Sequence, residues 1–342
     1  MRSEVEMGPL FPLDREVGFG DGPDDSADVF ASLLPVALIE RLDRHRRRLC
    51  ALLLDTAPQG WLRQLHDELA AFRQMVFMRP DETLFYLTYV SAHDPSMYSA
   101  THAMTCVAIG DLVGQWCRWT HDEITAISAA AVTMNLGMTA LQDQLAVRSQ
   151  GLNADERQTI DAHADTSRRL LMDAGVEDPL WLEVVERHHE RQAVSRLRDA
   201  PAARRLSEVL RRVDIYSAKL SRRRHRQATS SAIAARDTFL TDSGAPDEIG
   251  AGLLRVIGLY PPGSWVSLAN GDIGIVIRRG CKAHLPIVAS VRRSDGGLYH
   301  NPQCRDTADS RFAIVRGLRG GDARVTVEPH KMLACYLQPA VF

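Results

Sequence analysis

Four histidines and one aspartate, far apart along the chain, are of the types that bind divalent metal ions: His102, His163, His188, His189 and Asp214. Imidazole and carboxylate groups are the usual ligands of borderline divalent metals, and a helical bundle can bring such groups together from distant positions. A lone histidine is more often a hydrogen-bonded polar group in a core. His188 and His189 are adjacent, and adjacent helical residues diverge by about 100°. Only a site at the edge or end of a helix can therefore use both.

The elements that must position these residues are predicted to be helices with recognisable ends. Thr120 with Glu123, and Asn153 with Glu156, have the spacing of capping boxes. Asp178 followed by Pro179 is a helix start, and Pro201 opens a further helix. The helix after Asn153 carries His163, and the helix after Asp178 leads to His188 and His189. The helix after Pro201 carries Asp214. The middle of the chain is therefore expected to be a helical bundle.

The chain changes character after Gly258, where short β-rich runs begin. Asn270-Gly271 and Asp295-Gly296-Gly297 separate such runs and are typical of hairpin turns. We predict a mainly α fold, with a helical N-terminal region and a small β-rich C-terminal appendage. The predicted division is a flexible arm over 1–30, a helical region over 31–90, a helical domain over 91–258 and the appendage over 259–342.

Three segments, RPDETLFYLTYVSAHDPSMYSATHAM, VVERHHE and RRVDIYSAKLSRRRHR, resemble successive motifs of the HD-GYP family of cyclic di-GMP phosphodiesterases. The resemblance covers roughly residues 75–258, and GLYPPGSWVSLANGDIGIVIRRG resembles an extension that often follows that domain. The resemblance implies an HD-superfamily helical bundle that holds iron or manganese ions. In the family, these ions hydrolyse a phosphodiester of the cyclic dinucleotide.

The resemblance also implies roles for particular residues. His102 matches the first ligand histidine, and His163, His188 and His189 match ligands that share one metal. Asp214 matches the late aspartate. Where the family has its eponymous His-Asp pair and a following lysine, this chain has Met134, Asn135 and Met138. The family's GYP motif is also missing from the segment after His189, which reads ERQAVSRLRDAP.

These departures predict a degenerate metal site. In the family the aspartate of the pair bridges two metals, whereas an amide is a weaker ligand and a thioether is too soft for iron or manganese. Activation of water between two metals is therefore expected to fail. Three imidazoles could still hold one divalent ion, such as Fe, Mn, Zn or Ni.

A basic run, RRRHR, follows Asp214 by about two helical turns. Arg223 and Arg226 fall on positions that contact ligand phosphates in the family, and guanidinium groups bind phosphate through paired hydrogen bonds. The alternative is a solvated helix end, where positive charge is favourable. Both interpretations stay open at this point.

Composition narrows the classes of function. The chain is 45% hydrophobic and 25% charged with a net charge of -2, so no general affinity for duplex nucleic acid is indicated. Six cysteines without a CxxC pair favour reduced thiols in the cytoplasm. The sequence suggests neither an export signal nor a membrane span. It contains no dinucleotide-binding or P-loop motif.

Three hypotheses follow for function. The first is a signalling protein that binds cyclic di-GMP or a protein partner without efficient hydrolysis. The second is a phosphodiesterase that uses a reduced, one-metal site. The third is a scaffold that only dimerises or docks a partner, and a homodimer is compatible with each of them.

Overall fold

The structure is a computed structural model that describes residues 35–57, 59–191, 199–224, 228–241 and 244–337. The predicted arm over 1–30 lies outside these residues. The helices, in chain order, are α1 Pro35–Leu54, α2 Trp61–Met78, α3 Pro80–His93, α4 Tyr98–Cys117, α5 His121–Thr133, α6 Thr139–Val147, α7 Ala154–Asp173, α8 Pro179–Arg187, α9 Ala202–Leu220, α10 Ser231–Phe239, α11 Glu248–Ile257 and α12 Pro329–Leu337. The strands are β1 Trp265–Leu268, β2 Ile273–Arg278, β3 Ile287–Arg292, β4 Leu298–Asp306 and β5 Ile314–Leu318.

The predicted helix starts are confirmed. Thr120 and Asn153 accept hydrogen bonds from the backbone N–H groups of Glu123 and Glu156, and both glutamates return the bond to the cap residue. The Asp178 side chain accepts from the first turn of α8. Each cap satisfies donors that would otherwise lack a partner. Local chemistry thus fixes where α5, α7 and α8 begin.

Helix α4 lies at the centre of the bundle. Every residue from Tyr98 to Gly114 is buried, and several of these residues are alanine, glycine, serine or threonine. Small side chains let neighbouring helices approach the backbone of α4 from all sides. A helix that is apolar around its whole circumference belongs inside a protein. His102, near the start of α4, is therefore held in a rigid position.

The five strands form one antiparallel sheet in the order β4-β3-β2-β1-β5. Gly271 and Gly296 have positive φ angles of 85° and 88° in the turns between β1 and β2 and between β3 and β4. Glycine adopts this conformation without a steric penalty. The hairpins predicted at both positions are confirmed.

The helices and the sheet share one core of buried residues. That core includes Phe72, Phe85 and Trp181 of the helices as well as Trp265 and Ile275 of the sheet. The predicted fold class, a mainly helical protein with a small β-rich C-terminal part, is confirmed. The precise domain limits stay a prediction.

One stretch of the described chain, His121–Val147, is long and apolar enough to cross a membrane by length and composition alone. It comprises α5, the 3-10 turn Leu136–Met138 and α6. Within its most apolar window, 67% of the residues are buried inside the protein. A buried core helix passes the same test, so this segment is weak evidence for a membrane span.

Candidate metal centre

Three of the predicted ligands converge where α7 passes the end of α8. His163 lies within α7, His188 caps the C-terminus of α8, and His189 follows it. The ligand atoms of the three residues lie within 4.8 Å of one another. His163 Nε2 is 3.2 Å from His188 Nε2 and 3.0 Å from His189 Nε2. This cluster forms at a helix end, as expected for an adjacent histidine pair. We call these three residues the histidine triad.

The hydrogen bonds of His163 and His188 determine which nitrogen carries the proton. His163 Nδ1–H donates to the Ile160 carbonyl at 2.5 Å, and His188 Nδ1–H donates to the Val185 carbonyl at 2.6 Å. A carbonyl oxygen only accepts, so in the neutral rings both Nε2 atoms carry lone pairs. These lone pairs face each other, which is unfavourable unless a cation lies between them.

A proton is a poor candidate for that cation. Burial lowers the pKa of His163, and burial together with the neighbouring His189 lowers the pKa of His188 to about 3. Both rings are therefore neutral near pH 7. His189 Nε2–H could donate a hydrogen bond to His163 Nε2, but the opposed lone pairs of His163 and His188 would remain.

The triad fits a divalent metal ion. Two imidazole nitrogens bound tetrahedrally at 2.0–2.1 Å lie about 3.4 Å apart, close to the 3.0 and 3.2 Å seen here. Backbone carbonyls that fix the Nδ1–H groups are the outer contacts typical of metal-binding histidines. His188 is fully buried whereas His189 is exposed, so the cluster is open on one side.

The other two predicted ligands form a separate pair. His102 Nε2–H donates to Asp214 Oδ1 at 2.8 Å, and His102 Nδ1 lies 3.1 Å from Ser217 Oγ. Burial opposes charge on His102, but Cys106, Tyr98 and Asp214 outweigh it and hold its pKa well above the usual value. Both nitrogens of His102 are thus engaged within the protein.

Asp214 connects this pair electrostatically to the triad. Burial alone would raise the pKa of Asp214, but the hydrogen bond from His102 and the nearby His188 and His189 lower it to about 2. Asp214 is therefore an anion beside the triad. The structure brings the five predicted ligands into one region as a triad and a pair.

The residues predicted to stand in place of the family's His-Asp pair and lysine lie beside His163. Met134 caps α5 and is buried, while Asn135 and Met138 are half-buried in and around the following 3-10 turn. Ser167 Oγ–H donates to the Met134 carbonyl at 2.8 Å, and Gly137 N–H donates to Ser167 Oγ at 2.9 Å. The segment reaches the expected place but carries no charged side chain.

Arg223 is linked to the pair through Tyr98. Its guanidinium donates to the Tyr98 hydroxyl at 2.8 Å and lies 4.9 Å from the centre of that ring. Tyr98 in turn stacks on His102 with ring centroids 5.6 Å apart. Arg226 lies outside the described residues, as does most of the segment between His189 and Asp199.

Sequence reasoning missed three residues that organise the site. Tyr98 precedes His102 by four residues, Ser217 follows Asp214 by three, and Ser167 follows His163 by four. Each lies one helical turn from a ligand on the same helix. That spacing was the available signal, although nothing about a single serine or tyrosine distinguishes it from packing.

Comparison with known proteins points to one class. The chain is similar to the cyclic di-GMP phosphodiesterase PA4108 of Pseudomonas aeruginosa, to which it is 22% identical over 288 residues, covering 76% of this chain and 67% of that protein. No family model matches the chain. No solved structure matches it either.

Proposed function

We propose that this chain is a cytoplasmic signalling protein that binds cyclic di-GMP, holds one divalent metal ion at the histidine triad and hydrolyses the nucleotide poorly. The observation that carries this proposal is the convergence of the Nε2 atoms of His163, His188 and His189, next to a segment that has Asn135 where the bridging carboxylate is expected. The similarity to a cyclic di-GMP phosphodiesterase supports the nucleotide as ligand.

The residues around the triad support binding more than catalysis. A divalent ion there would supply positive charge to a phosphate ester and would acidify water. Asp214 is occupied by His102, and its pKa of about 2 makes it a weak base near neutral pH. The guanidinium of Arg223 lies beside Tyr98, and a phosphate near the pair would accept a hydrogen bond from it.

A one-metal phosphodiesterase is the second candidate. It is favoured by the anionic Asp214, which lies close enough to the triad to affect the pKa of His163 and His188. In this case His102 and Asp214 would orient a water molecule. A docking scaffold, which could be a homodimer or bind a protein partner, is the third hypothesis and needs neither metal nor nucleotide.

Metal analysis of the purified full chain tests the triad. Protein prepared without chelator is expected to contain about one Fe, Mn, Zn or Ni ion per chain, and His188→Ala should lose it. His121→Ala is the matched control, because His121 is exposed at the start of α5. Absence of metal from the unsubstituted protein would rule out the one-metal phosphodiesterase and overturn the metal part of the proposal.

Calorimetry tests whether the chain binds cyclic di-GMP. Cyclic di-GMP at about 100 µM should give measurable binding if the site is specific. Arg223→Ala should weaken that binding by about 1.5–3 kcal/mol, the usual contribution of a charge-assisted hydrogen bond. Arg222→Ala removes the same charge from an exposed neighbour, so an equal loss in both variants would contradict a specific role for Arg223. Release of linear product at a rate matching that of the relative would favour the phosphodiesterase.

A further inference from the structure

A second cleft lies on the sheet, where the first turn of α10 meets β5. Its volume is about 380 Å³. Ser230 and Ile233 of the α10 end form one wall, and residues of β1, β2, β3 and β5 form the floor. None of the proposed metal ligands lines this cleft. It is therefore a site distinct from the histidine triad.

The floor is a row of four side chains that crosses four strands. Arg316 of β5 pairs with Ser267 of β1, Ser267 pairs with Ile273 of β2, and Ile273 pairs with Arg292 of β3. Directly paired residues point to the same face of a sheet. With strands 4.7–4.9 Å apart, the two arginines are about 14 Å apart at Cα, so their long side chains can converge on one small ligand between them.

The cleft has an excess of positive charge. Arg292, Arg316 and Arg319 line it, and Asp322 is the one carboxylate among its lining residues. Within the part of the chain that the structure describes, none of these three arginines forms an ion pair with a carboxylate.

Other arginines of the C-terminal part behave differently. Arg279 pairs with Asp81, Arg293 with Asp295, and Arg311 with Asp309. Each of these three arginines has a carboxylate within ion-pair distance. The three arginines that line the cleft form no such pair among the described residues, so an external anion can reach their guanidinium groups.

The start of α10 adds a second, independent feature that favours an anion. Ser230 is the N-cap residue, yet its side chain makes no capping hydrogen bond. A Cβ placed on Gly317 would lie 3.6 Å from Ser230 Cβ and 3.7 Å from Ala232 Cβ, so β5 runs directly against this helix end. The first N–H groups of a helix and its dipole attract anions, phosphate in particular.

We propose that this cleft binds a small ligand that carries a diphosphate or longer phosphate chain. Arginines at both ends of the row suit an anion that extends between them, because a guanidinium group binds phosphate oxygens in pairs. Ser267 and the uncapped helix end contact the middle of that anion. Ile273 and Ile233 add an apolar surface beside it, on which the organic part of a phosphorylated ligand packs.

Calorimetry of the full chain with inorganic pyrophosphate tests the proposal, and inorganic phosphate serves as the shorter comparison. Pyrophosphate is expected to bind with a Kd below about 1 mM and more tightly than phosphate. The double variant R292A/R316A should weaken pyrophosphate binding by about tenfold or more for each arginine removed. Its metal content should equal that of the unsubstituted protein, which separates this test from that of the triad.

The double variant R293A/R311A is the matched control, since it removes two arginines of the same sheet region that lie outside the cleft. Equal weakening in both double variants would mean general charge attraction and would overturn the proposal. Absence of pyrophosphate binding would overturn it as well. Binding to vesicles that contain phosphatidylserine, without binding to pyrophosphate, would identify a membrane surface instead and would equally refute a small-ligand site.

Discussion

Residues of one type perform different tasks in this site, and the difference lies in their hydrogen bonds. His102 has both nitrogens engaged, by Asp214 and Ser217. In His163 and His188, Nδ1–H donates to a backbone carbonyl, and this leaves a lone pair on each Nε2. A neutral imidazole whose second nitrogen keeps a lone pair can bind a metal ion, whereas a ring with both nitrogens hydrogen-bonded cannot do so without losing a partner.

Met134 and Asn135, where the resemblance expects a His-Asp pair, offer a direct test at this scale. The double variant M134H/N135D restores an imidazole and a carboxylate beside α7, and carboxylate oxygens are strong ligands for hard divalent ions. We expect the metal content to rise from about one to about two ions per chain, measured by mass spectrometry of the purified protein.

Asn301→Asp is the control for that variant, because it adds the same charge on an exposed position of β4. The contrary outcome is that M134H/N135D folds with an unchanged circular dichroism spectrum and yet holds no additional metal. In that case the residue types at positions 134 and 135 are not what limits metal binding.

Secondary-structure elements position the site mainly through their ends. α8 ends just before His188 and His189, so the chain turns there and both rings reach the same side chain of α7. The 3-10 turn that follows α5 also packs closely on α7. A Cβ on Gly137 would lie 2.8 Å from the His163 carbonyl oxygen and 2.8 Å from Thr166 Cβ. Only glycine permits this approach.

Gly137→Ala therefore tests how far the packing of this turn supports the triad. The added methyl group must push the turn away from α7, and overpacking of this kind costs about 1–3 kcal/mol of unfolding free energy. Urea denaturation measures that cost, and metal affinity should fall with it. Gly151→Ala is the control, since no atom lies within 4 Å of the added Cβ. Equal stability of both variants would contradict a tight contact.

At the scale of the whole molecule, the sheet is anchored to the bundle. Arg279, only 8% exposed in its side chain, pairs with Asp81 of α3 and donates to the Val256 carbonyl at the end of α11. Apolar residues of the sheet belong to the same buried core as those of the helices. The two parts are therefore expected to unfold together.

Arg279→Ala tests this coupling. Removing one partner of a buried ion pair leaves the other without compensation, and we expect a loss of about 3 kcal/mol in unfolding free energy. Urea denaturation should still show a single transition when followed by fluorescence and by circular dichroism. Arg293→Ala, which removes an exposed pair with Asp295, should cost less than about 1 kcal/mol. Two separate transitions in either protein would show that the appendage folds by itself.

The sequence by itself determined the local structures, which depend only on residues close together in the chain. Capping boxes at Thr120 and Asn153 and hairpin turns at Gly271 and Gly296 are local structures, so their residues specify them directly. The mainly helical fold with a β-rich C-terminal part followed from those local signals and from the family resemblance. The resemblance also selected the five candidate ligands.

Only the tertiary structure decided how residues remote in sequence combine. Asp214 pairs with His102 across 112 positions of the chain, and Arg292 and Arg316 share one row because of strand register. Such distances depend on the packing of every intervening element, which no local pattern encodes. For that reason the sequence predicted one set of five ligands, and the fold divided it into a triad, in which the Nε2 atoms of His163 and His188 face each other, and a closed ion pair.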